Sequence, residues 1–236
     1  MTARRLVASP MFSLLTNGKT ILDNDVVALH NFDKVNRLIR HAKQEEYPHG
    51  TDVAGVQFLQ HTQSRDDPYI RAVEHFSDGN FIILCQFKAQ SHRFSISHEI
   101  HIDKTFNRAT NCDEIEFNSW DSISGSIITL SRVFTNYNDG DGYFKVFSKV
   151  FAQTEEDVGQ KLRWGHIYTE EFEEGRIRAI LVDEDGGQIK GLGMYFANEF
   201  KQHDADWHVH HIVKVCQIHY KRSVNALLHK GTPKGF

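Results

Sequence analysis

The chain has 236 residues, with 27 Lys and Arg against 31 Asp and Glu, a net charge of −4, and 40% hydrophobic and 25% charged residues. That length and balance allow a sizeable buried core in one large or two small domains, and exclude a disordered or collagen-like chain. No run of about 18 apolar residues occurs, so no membrane-spanning helix is expected. The opening MTARRLVASPMFSLLTNGKT is too short in its apolar part and too polar for a signal peptide. Three cysteines (Cys85, Cys112 and Cys216) are too sparse for a disulfide framework and suit a reducing compartment, so a nuclear or cytoplasmic location is expected.

The elements follow in chain order. Asp25 to Glu46 is expected to be helical, with Val26, Val27, Leu29, Phe32, Val35, Leu38 and Ile39 at three-to-four spacing. Pro48 and Pro68 bracket a polar stretch taken as a boundary, dividing residues 1–67, a helical region and linker, from residues 68–236. YIRAVEHF and FIILCQF flank the turn SDGN and predict a hairpin. AQSHRFSIS predicts a short helix, and HEIHID an alternating strand ending on Asp103. EIEFNSWDSISGSIITLSRVFT predicts two strands joined near Ser124 and Gly125. DGYFKVFSKVFAQ is an amphipathic helix with Tyr143, Phe144, Val146, Phe147 and Val150 on its apolar side. IRAILVDED is a buried strand, GGQIKGLGMYFANEF a helix despite its glycines, HIVKVC a strand and IHYKRSVNALLHK a last helix. Three consecutive strands followed by βαβ units predict an α/β fold, a mixed sheet flanked by helices rather than a doubly wound one.

Two acids stand out. Asp103 closes one predicted strand and Asp183 another, 80 residues on. Carboxylates at neighbouring strand ends can converge on Mg²⁺, which prefers oxygen ligands, and a two-ion site of that kind serves phosphodiester chemistry. An Asp after a strand also caps the next turn, and spacing alone favours that reading. A second constellation is WHVHHIVKVCQIHY, where His208, His210, Cys216 and His219 offer zinc donors; a strand cysteine buried as a small apolar residue is the alternative. NYNDGDGYF lacks the closing Glu of a calcium loop and suits a turn into a helix, DEDGGQIKGLG is not a P-loop, and no nucleophile elbow occurs. Cys85 and Cys112 have no base beside them, and Trp120 and Trp164 are expected in the core. From Lys201 onward six Lys and Arg face two acids, which suits either a solvated helix face or phosphate contacts.

HIDKTFNR, with Asp103, Thr105 and Phe106, resembles the Asp-x-Thr-Phe first-strand signature of Mutator-like element (MULE) transposases. AILVDEDGGQIKGLG, with Asp183, is similar to the family's second-aspartate strand and following helix, and VCQIHYKRSV, with Cys216 and His219, to its Cys-x-x-His segment. VFTNYNDGDGYFKVFSKVF is similar to the strand and helix between them. The likeness spans roughly residues 69–228 and is nearest to transposase-derived proteins of fungal genomes. It implies an RNase H-like fold and a metal-dependent enzyme that cuts and joins DNA, with Asp103 and Asp183 as the first two ligands of Mg²⁺ or Mn²⁺. Lys214, Lys221 and Arg222 would contact DNA phosphates. The family's third acid, a Glu after an inserted helical region, has no counterpart, because no Asp or Glu follows Asp206. The expectation is therefore a domain incomplete at its C-terminus, lacking the last catalytic helix and self-associating through the sheet so exposed. A non-catalytic, domesticated remnant that binds nucleic acid or protein is the alternative.

Overall fold

The computed structural model describes residues 32–50, 52–167, 176–183 and 185–216, together with Lys221 and Asn225. The chain divides into two compact units, residues 1–61 and 62–236. In the first, α1 spans Phe32–Glu46 and α2 begins at Val53, running to Thr62. The helix α2 lies inside the polar stretch that the sequence marks as a boundary. Its first turn is tied by the Asp52 carboxylate, which accepts from the Gly55 backbone N–H at 3.2 Å. The part of the predicted Asp25–Glu46 helix before Phe32 lies outside the described residues, as does most of the last predicted helix.

The second unit is built on one seven-stranded sheet. Its strands are β1 (Ile70–His75), β2 (Phe81–Cys85), β3 (Glu99–Ala109), β4 (Cys112–Asp121), β5 (Ser126–Thr135), β8 (Ala179–Val182) and β9 (Val213–Val215). A separate parallel pair joins β6 (Arg163–Trp164) to β7 (Arg176–Ile177). The sheet order is β1-β2-β5-β4-β3-β8-β9. All pairs from β1 to β3 are antiparallel, whereas β3 with β8 and β8 with β9 are parallel. The helices are α3 (Lys88–Ile96), α4 (Gly140–Val158), α5 (Gly186–Glu199) and α6 (Ala205–Ile212). The mixed α/β sheet flanked by helices is thus as the sequence predicts.

Turn chemistry sets the antiparallel part. Gly79 and Gly125 take positive φ in the β1–β2 and β4–β5 turns, where a side chain would be strained. Asn111 does the same at φ 53 in the two-residue turn between β3 and β4, a conformation asparagine tolerates better than other non-glycine residues. Two elements differ from expectation. β3 does not stop at Asp103 but runs on to Ala109. And α6 replaces the start of the expected HIVKVC strand, because Asp204 accepts from the Trp207 N–H at 2.8 Å and caps a helix there.

The core lies between one sheet face and α3, α4 and α5. α4 is capped by Asp139, which accepts from Gly142 N–H at 2.8 Å, and ends on Gly159 at φ 68. Tyr143, Phe147 and Phe151 stack along its inner stripe at 6.0 Å between centroids, and Phe117 of β4 meets the last two edge-on. Trp164 is buried beside them as expected, whereas Trp120 stays exposed on β4. A buried polar network ties the sheet edge to the helices. Arg71 of β1 pairs with Asp157 of α4, which also accepts from the Ser91 hydroxyl at 2.5 Å. Cys85, on β2, is buried, and burial pushes its thiol up to about 12.

The glycines of α5 are explained by its contact with α4. A Cβ on Gly191 would lie 2.5 Å from the Tyr143 Cβ and 2.8 Å from the Phe144 nitrogen, so only glycine lets the two helices approach this closely. Gly191→Val is expected to destabilise by about 3 kcal/mol, at the upper end of overpacking effects. Gly186→Ala, at a site with open space around it, should leave stability unchanged or slightly raised. Denaturant unfolding of both variants checks the pair; equal midpoints would show that the helices can simply move apart.

Candidate functional site

The central parallel pair decides where Asp103 and Asp183 lie. Glu99, Ile100 and His101 of β3 are opposite Ala179, Ile180 and Leu181 of β8. Continuing that register by two residues sets Asp103 beside Asp183, which directly follows β8. Pleating puts in-register neighbours on the same face. Ile100, Ile102, Ile180 and Val182 are buried towards the helices, so alternation along β3 turns the half-buried Asp103 to the opposite face, and Asp183, also half-buried, directly follows β8. Neighbouring strands lie about 5 Å apart, a spacing at which two carboxylates can share one cation.

A third carboxylate joins this row. Asp103 is directly opposite Glu116 of β4, and Glu116 is opposite Arg132 of β5. The Arg132 guanidinium reaches Glu116 at 3.0 Å and Glu114 at 3.7 Å, and Arg108 reaches Glu114 at 2.5 Å. Sequence reasoning missed Glu114 and Glu116. Their signal was the alternation in EIEF, where Ile115 and Phe117 face the core and the glutamates the other side. Among the described residues, no group of three or more His, Cys, Asp or Glu side chains is arranged to hold a metal ion.

The next residue, Lys104, turns the other way. It is buried, with its Nζ 2.7 Å from the Asn138 Oδ1 and 3.2 Å from the Asp113 Oδ2. It stands at one wall of a polar cleft of about 580 Å³ shared with Phe106, Asn111, Asn136 and Asp185. The Tyr143 hydroxyl donates to Asp185 at 2.8 Å, and burial together with that carboxylate raises its pKa. Asp139 and Asp185 serve as helix caps, so the Asn- and Gly-rich run NYNDGDGYF is a turn into a helix, as expected.

Among the described residues, His208, His210 and Cys216 form no group that could hold a metal ion. His208 is buried on α6, with both ring nitrogens engaged, by His166 at 3.0 Å and the Phe200 carbonyl at 3.2 Å. His210 is exposed and bonds the Asp206 carbonyl at 2.8 Å. Cys216 follows β9, where its backbone N–H donates to Val182 at 2.9 Å. His219 and Arg222 lie outside the described residues. Of the cations expected at DNA, Lys214 is exposed on β9 opposite Leu181, on the same sheet face as Asp103, and Lys221 is exposed. No helix among the described residues is long and apolar enough to cross a membrane. No protein-family model, curated protein or solved structure matches the chain.

Proposed function

We propose that residues 68–236 form an RNase H-like domain of the MULE transposase type, which uses Asp103 and Asp183 to hold Mg²⁺ or Mn²⁺ for cutting DNA strands. The observation that carries this reading is the pairing of β3 with β8. Three antiparallel strands (β5-β4-β3) are followed by two parallel ones (β8-β9), and the parallel register, continued by two residues, brings Asp103 of β3 beside Asp183, which directly follows β8. A divalent ion there would lower the charge on a phosphodiester and activate the attacking water. Lys214, on the same face, suits a phosphate of the bound strand, and Lys221 and Arg222 would extend that contact.

A second reading is favoured by Glu116. The carboxylate next in the row is engaged by Arg132, so among the described residues no third acid completes a transposase site. In that reading the domain is a remnant that binds nucleic acid without cutting it. Supercoiled plasmid incubated with the purified chain and Mg²⁺ or Mn²⁺ separates the two. Nicking that disappears in Asp183→Ala supports the enzyme. Salt-sensitive DNA binding without nicking supports the remnant, and neither activity would remove DNA from the account.

A further inference from the structure

We propose that His166 and His208 form a proton-operated latch, which holds α6 against the turn after β6 at neutral pH and lets go in acid. The inference comes from ring geometry. The His208 Nε2 lies 3.2 Å from the Phe200 carbonyl, which can only accept, so that nitrogen carries the hydrogen. The Nδ1 of His208 is then a bare acceptor, and the His166 Nε2, 3.0 Å away, must donate to it. This leaves the His166 Nδ1 without a hydrogen; it is buried and has no partner. One arrangement of neutral tautomers satisfies every contact, and neither ring has room for a second proton. A proton on His208 would set two N–H groups head to head. A proton on His166 would bury an N–H with no acceptor, at a cost well above that of an ordinary lost hydrogen bond.

The surroundings oppose charging as well. Phe196 lies edge-on to His166 at 5.0 Å and stacks on His208 at 5.8 Å. The titratable and charged groups facing the couple, among the described residues, are His203 and Asp204 from the segment before α6 and His211 from α6 itself. His203 and His211 both stack on Trp207, at 3.6 and 4.0 Å. Hydrogen bonding to the Phe200 carbonyl, with Asp204 and the His203 backbone, favours a protonated His208, and burial outweighs all three. The pKa of both rings is lowered, first by burial, that of His166 to about 4. A ring whose folded pKa is depressed binds fewer protons than its unfolded form. The latch therefore contributes fully above about pH 6.5, the ordinary histidine value, and is lost as pH falls towards 4. Because α6 runs straight into β9, which pairs with β8, its release would be felt beside Asp183.

Hydrogen exchange of the full chain at pH 7.5 and 5.0, corrected for intrinsic rates, reads the latch directly. Protection of residues 205–212 should fall at least about tenfold more than that of α4. In the double variant His166→Gln, His208→Gln, whose amides can keep the same donor and acceptor chain, that extra fall should vanish. Equal protection at both pH values, or the same fall in the variant, would overturn the proposal. Should the variant not fold, imidazole ¹⁵N spectra of the wild-type chain decide. Nε2–H tautomers on both rings are expected, with His166 titrating near 4 and His208 below the ordinary histidine value, and titration of either ring at 6.5 or above would overturn the latch.

Discussion

Asp103→Asn should abolish any divalent-dependent nicking, by about 100-fold or more, and at the same time make the protein slightly more stable. The first effect follows from removing one of the two ligand carboxylates, since neutral amides are poor partners for Mg²⁺. The second follows from the row of charge described above. Asp103 is directly opposite Glu116 and, by the continued register, beside Asp183. Like charges opposite one another on a sheet are destabilising by roughly 0.2–1 kcal/mol, so neutralising the middle one relieves repulsion. The melting temperature should rise by about 1–3 °C in the absence of metal. This opposition of effects marks a group kept for binding, because a residue held for structure loses stability when changed. Melting with and without Mn²⁺ completes the test: the metal should raise the transition of the wild type and leave that of the variant unmoved. A variant that melts lower than wild type, or that keeps its response to Mn²⁺, would put Asp103 in a structural role.

The largest loss of stability is expected at Asp157, far from that row. Its carboxylate is 2% exposed and neutralises the guanidinium of Arg71, itself 9% exposed, while accepting from the Ser91 hydroxyl at 2.5 Å and the Gln153 amide at 3.4 Å. Through Ser91 the network continues to Gln86, which also donates to Thr154 at 2.9 Å, so one carboxylate ties β1, β2, α3 and α4 together. Asp157→Ala takes away the charge against which Arg71 is buried, and breaking a buried pair costs about 3–5 kcal/mol. For a chain of this size that is a fall of about 10 °C in melting temperature. Arg71→Met with Asp157→Leu, which removes both charges and fills the space, should recover most of the loss. A single variant melting within about 2 °C of wild type would show that water reaches the pair.

The antiparallel half of the sheet was legible because its signals are local. Alternating apolar residues separated by Asp-Gly and Ser-Gly turns predict β1, β2, β4 and β5 within a few residues. The inner stripe of α4 was equally plain. What the sequence hid was hidden by polar residues turned inward. Lys104 interrupts the alternation of β3 at the very place where the strand continues, because its ammonium finds Asn138 and Asp113 inside. His208 is likewise a core residue, so a helix whose buried positions are His208 and Ile212 carries little apolar periodicity. The strand expected from Ile177 to Asp185 splits at Arg178, with Ile177 pairing to Trp164 and Ala179 to Glu99. As for the site, the two aspartates could be named from the sequence, but their adjacency rests on a parallel register that joins segments 80 residues apart. Glu116 and Arg132 could not be ranked above other strand charges until the pairing of β4 with its neighbours was known.

The position of Cys85 gives the chain a chemical clock for its own opening. Cys112 and Cys216 are half-buried, whereas Cys85 sits on a strand flanked on both sides and is almost wholly un-ionised at pH 7, with only ~10⁻⁵ as thiolate. An alkylating reagent should therefore modify Cys112 and Cys216 first, and Cys85 only when β2 parts from its neighbours. The slow phase then measures how often β2 parts from its neighbours, in water and without denaturant, and Asp157→Ala, which loosens the tie between β1 and α4, would register as a faster rate.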